Sequence, residues 1–69
     1  MVSFADVKAM LDACAPGHRV SLKTHNRQIL WNKRTYPTFP KYDEVEIGHV
    51  KKMARYLGIL ECAKRFLKI

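Results

Sequence analysis

The apolar residues of this chain change period once, at Ala15-Pro16-Gly17, and that change limits the folds open to it. Before the break, Phe4, Val7, Met10, Leu11 and Cys14 recur at the three- and four-residue spacing of a helix that buries one face. Ser3 followed by Asp6 gives this helix a capping box with a shortened acid. Proline then removes a backbone donor and glycine accepts turn dihedrals, so the helix stops. After the break the period is two. Val20 and Leu22 alternate with Arg19, Ser21 and Lys23, and Ile29 and Trp31 alternate with Gln28, Leu30 and Asn32, which predicts two half-buried strands.

Asn32-Lys33-Arg34-Thr35 reads as the polar turn leading into a third strand, Tyr36-Pro37-Thr38-Phe39-Pro40. Its two prolines cannot donate to a ladder, so the third strand belongs at an edge. Asp43, Glu44 and Glu46 then precede Ile47, Val50, Met53, Ala54 and Leu57, a second helix with negative charge at its favourable end, stopped by Gly58. A last short helix carries Leu60, Ala63 and Leu67 on one side and Ile59, Cys62, Phe66 and Ile69 on another. It closes the core or meets a partner.

The expected fold is therefore α+β, in the order α-β-β-β-α(α), with helices on one face of a three-stranded antiparallel sheet. All 69 residues belong to one domain. A chain this short buries only about 60% of its unfolded surface, so help from a partner or from a second copy in a homo-oligomer is in keeping with its size. With 48% hydrophobic and 28% charged residues it has the composition of a folded protein. Asp6, Lys8 and Asp12 interrupt the first apolar segment, which excludes a leader or membrane span there and points to the cytoplasm. Cys14 and Cys62 sit in apolar patterns with no paired spacing, and are expected as buried free thiols.

Charge carries the functional expectation. Between Ala13 and Tyr42 lie Arg19, Lys23, Arg27, Lys33, Arg34 and Lys41, with His18 and His25, and no Asp or Glu. Folded into a small sheet, this stretch would present positive potential to a polyanion, and nucleic acid is the first candidate. An extended Lys23–Arg27 segment would project Lys23, His25 and Arg27 from one face. Histidine exchanges protons near neutrality, while lysine and arginine hold phosphate. Read from the residues alone, His25 is first a turn or strand-end histidine bonded to backbone or water, and the cations also read as a solvated charge run. His18, next to Pro-Gly, and His49, near a helix start, read as solvated or capping residues. Lys51, Lys52 and Arg55 read as the polar side of the second helix. Among the aromatics, Tyr36 and Tyr42 suit base stacking better than Trp31 or Phe39. No Walker loop, dinucleotide fingerprint, paired-carboxylate constellation or zinc spacing occurs, so neither metal nor organic cofactor is expected.

Three segments carry a resemblance over nearly the whole chain: Val20-Ser21-Leu22-Lys23-Thr24-His25, Phe39-Pro40, and Glu46-Ile47-Gly48-His49 through Arg55-Tyr56-Leu57-Gly58-Ile59, with Ala63-Lys64-Arg65-Phe66-Leu67 closing it. In their order and spacing they resemble the HicA mRNA interferase family, whose fold is related to the double-stranded RNA-binding domain. The resemblance implies a toxin of a type II toxin-antitoxin pair and metal-independent RNA cleavage with His25 as general base. It also implies RNA contacts from Lys23, Arg27, Lys33, Arg34 and Lys41, and a HicB-like antitoxin partner. Lys23 stands where that family has glycine, and Lys41 matches only by charge the basic residue after the proline. A non-catalytic nucleic-acid-binding module of the same fold is the alternative, and a protein-interaction domain a third. In a double-stranded RNA-binding arrangement Lys51, Lys52 and Arg55 would also reach phosphates across a groove.

Overall fold

The computed structural model describes residues 1–69. A two-residue strand, β1 (Val2–Ser3), leads into α1 (Phe4–Cys14), followed by β2 (Arg19–Leu22), β3 (Asn26–Trp31) and β4 (Arg34–Pro40). A second short strand, β5 (Glu44–Val45), precedes α2 (Ile47–Leu57) and α3 (Leu60–Leu67). The antiparallel sheet runs β2-β3-β4, which leaves β4 at an edge as its prolines require. The pairing of β1 with β5 was not expected from the sequence, and it fastens the start of α1 to the approach of α2.

The caps follow the residues. The Ser3 hydroxyl accepts the Asp6 amide hydrogen bond (3.1 Å), and Gly17 takes a φ of 87° in the turn after α1. At the end of α2, Gly58 is left-handed (φ 81°), the Gly58 amide donates to Arg55 O and the Ile59 amide to Ala54 O. That paired arrangement satisfies the last carbonyls and folds Ile59 back over buried Ala54.

Val20, Ile29 and Tyr36 face one another across the sheet and point towards the helices. Arg19, Leu30 and Thr35 form the next row and point the other way. Between Arg27 and Ile29 the β3–β4 register shifts, so Pro37 and Thr38 oppose Gln28 alone. This bulge admits Pro37 where a ladder donor would otherwise be missing. It also turns both Tyr36 and Phe39 inward, although strict alternation would have separated them. Phe39, Met10, Leu11, Ile29, Met53 and Leu57 are the largest fully buried side chains, and no polar residue is buried with them. Ala63 on α3 is buried and Leu60, Leu67 and Ile69 pack against the core, so the last helix closes it and leaves Phe66 outside.

Two expectations need correction. Cys14 and Cys62 are not free thiols but a disulfide that joins the end of α1 to α3 across 48 residues of chain. Tyr36 is 7% exposed and held edge-to-face by Tyr56, which removes it as a stacking surface. No helix is long and apolar enough to cross a membrane.

Candidate nucleic-acid interface

Antiparallel connection places the two hairpin ends at opposite ends of the sheet, and the basic residues divide between them. At the first end the Lys23 amide donates to Asn26 O (2.7 Å), closing a tight turn over Thr24 and His25. The segment is therefore not extended, and the expected common face for Lys23, His25 and Arg27 does not form. His25 is exposed at the tip. Lys41 crosses to this turn and its ammonium donates to the carbonyl of Thr24 (3.2 Å), the residue before the histidine.

Arg27 points inward with Ile29 and Trp31 and is a structural tie, which corrects its expected role on the surface. Its Nη1 donates to Pro40 O and to Tyr42 O, both at 2.9 Å, and its guanidinium lies 3.5 Å from the Phe4 ring centroid. Burial pulls the Arg27 pKa below its ordinary value, opposed by the nearby charge of Asp43. Pro40 and Tyr42 also border a 150 Å³ recess lined by Glu44, Glu46 and exposed His49. The His25 end thus has mixed charge.

The second end is different. Asn32 and Lys33 take φ values of 51° and 64°, a tight two-residue turn that brings Arg34 into β4 itself. Arg34 lies exposed on the helix side of β4, and its Nη1 donates to Tyr56 O in the last turn of α2 (2.7 Å), where a cation complements the helix dipole. Arg34 is therefore anchored rather than projecting from a turn. A 350 Å³ cleft here is lined by Arg19, Lys33 and Arg34 together with Leu30, Trp31 and Thr35. Thr35 also lines a 570 Å³ cleft between the β4 edge and α2, whose charged residues are Lys52 and Arg55. The two adjoining clefts hold five cations and no carboxylate. None of these five belongs to an ion pair, since the pairs that exist are Lys8–Asp12, His18–Asp12 and Lys64–Glu61.

The outer sheet face was expected to be the basic platform, yet its rows contribute Arg19, Ser21, Gln28, Leu30 and Thr35, with one cation among them. Positive potential instead follows the second hairpin, the β4 edge and the exposed side of α2. His25 lies roughly 20 Å from that strip, the length of a six-residue strand. Tyr42 is 69% exposed at the His25 end, as expected for a surface aromatic. Trp31 is half-buried and donates from Nε1 to Pro16 O. His18 caps α1 through Nδ1 on Ala15 O (3.0 Å), but its side chain is enclosed rather than solvated. Comparison with family models, curated proteins and solved structures finds no match to this chain.

Proposed function

We propose that this protein is an RNA-binding domain that holds the phosphate backbone on the strip formed by Arg19, Lys33, Lys52 and Arg55, with Arg34 fixed between them. The supporting observation is the pair of adjoining clefts lined by five cations and no acid, while the opposite end carries Glu44 and Glu46. A polyanion is drawn more strongly to the first than to the second, where acids offset the cations. Fluorescence anisotropy with a labelled RNA, repeated from low to physiological salt, tests the reading. Four free cations predict a log-log salt slope of about −3, at roughly 0.7–0.9 per phosphate neutralised. A protein-interaction domain would show negligible RNA binding at physiological salt.

One observation favours a second, catalytic reading. His25 stands exposed at the turn where the Lys41 ammonium is held on Thr24 O, so a base and a phosphate-stabilising charge share one turn. In that reading the protein acts as a HicA-like toxin, and a HicB-like antitoxin restrains it by covering this face. His25→Ala should then abolish RNA cleavage and leave RNA binding and fold intact. If the wild-type protein cleaves no RNA, the non-catalytic reading stands. In this reading the protein acts in the cytoplasm.

A further inference from the structure

We infer that the cleft between the β4 edge and α2 accepts a single unpaired nucleotide, its base on the Tyr56 ring and its phosphate on Lys52 and Arg55; this rests on the RNA-binding reading and names the form of nucleic acid it prefers. The cleft's 570 Å³ suits a nucleotide-sized ligand. Tyr56 is 50% exposed, and its ring meets buried Tyr36 edge-to-face with centroids 5.8 Å apart. That contact fixes the orientation of Tyr56 and leaves ring surface open to the cleft. Lys52 lies one helical turn before Tyr56 on the same side of α2, and Arg55 lines the same cleft. Thr38 lines the opposite wall and is exposed, supplying a hydroxyl that can both donate and accept at a base edge.

This combination separates single strands from duplexes. A paired base is stacked within its helix and cannot lie on a protein ring, whereas an unpaired base stacks on any accessible aromatic face. Stacking contributes without releasing counterions, so it leaves the salt slope unchanged. The two kinds of contact can therefore be told apart in one assay.

The test uses the full chain with an eight-nucleotide oligouridine, the matching oligothymidine, and an RNA duplex of equal length. Both single strands should bind more tightly than the duplex, since the ring and the cations do not read the 2′-hydroxyl. Tyr56→Leu keeps apolar bulk against Tyr36 and should weaken single-strand binding on the order of tenfold, with the salt slope and duplex affinity unchanged. Tyr56→Phe should bind as the wild type, which separates a missing ring from a disturbed fold. Lys52→Gln with Arg55→Gln should lower the slope by about 1.4, at roughly 0.7 per phosphate on a single strand. Single-strand affinity of Tyr56→Leu within twofold of wild type overturns the inference. Salt-dependent duplex binding without single-strand preference also overturns it but keeps the phosphate strip. If no nucleic acid binds, both readings fall.

Discussion

Reducing the Cys14–Cys62 bond should cost this domain a large share of its stability. The bond closes a loop of 48 residues. The chain-entropy relation gives about 4 kcal/mol for a loop of that length. A 69-residue domain has roughly 3–10 kcal/mol in total, at 0.05–0.15 kcal/mol per residue. The dithiol form is therefore left between marginal and modest stability. Urea unfolding followed by far-ultraviolet circular dichroism, with and without a phosphine reductant, measures the difference without altering any side chain beyond the sulfur pair. With m near 1 kcal/mol/M the midpoint should fall by roughly 3–4 M, and the thermal midpoint by ~15–30 °C. Coincident transitions for the two forms, within 1 kcal/mol, would refute the loop-closure reasoning. Reaction of two thiols in the unreduced native protein would refute the bond itself.

Arg27→Met removes two charge-assisted bonds to Pro40 O and Tyr42 O and the contact over Phe4. It should destabilise by about 2 kcal/mol in a melt, because water replaces part of the loss at a half-buried site, while leaving the RNA salt slope unchanged; a lower slope would return Arg27 to the interface. Lys33→Gly relieves a left-handed lysine in the β3–β4 turn. It should stabilise by about 0.5–1 kcal/mol yet lower the salt slope by about 0.7, opposite signs that urea titration and anisotropy read separately. Asp12 accepts a 2.9 Å hydrogen bond from Lys8, which outweighs the opposing desolvation and, with the charges of Lys8 and His18, holds its pKa below the ordinary value. A depressed native carboxyl contributes stability above the unfolded pKa of about 3.9 and loses it as pH falls through the lower native value. Carboxyl NMR of Lys8→Gln should therefore show Asp12 titrating at higher pH than in wild type, and an unmoved midpoint would contradict the assignment.

The order of elements was legible because period and punctuation agree. The helical spacing ends at Pro16-Gly17, the alternation begins at Arg19, and Gly58 closes α2. The functional residues were less so, because a run of cations does not state which way each one points. Alternation could have answered for two of them: Arg27 lies two residues before Ile29 and Arg34 two before Tyr36, so both share the core-facing side. The turn at Thr24-His25 lacks the Asn-Gly or Asp-Gly pair that marks a short hairpin, and the extended reading was the natural one. Tyr36 and Phe39 lie three apart, and only the bulge at Pro37, itself announced by a proline inside a strand, reconciles that spacing with a common core. The disulfide had no local signal, since only the approach of α1 to α3 brings two cysteines so distant in sequence together.

The bulged β4 edge bears on how this molecule keeps its own company. A small open sheet exposes unpaired backbone groups on which another chain can template a further strand, the usual route to fibrillar assembly. Pro37, Pro40 and the local twist of the bulge interrupt that template on one side, and β2 at four residues is a short one on the other. The rim beside α2 is thereby kept free of strand addition, and the sheet does not lengthen by copying itself.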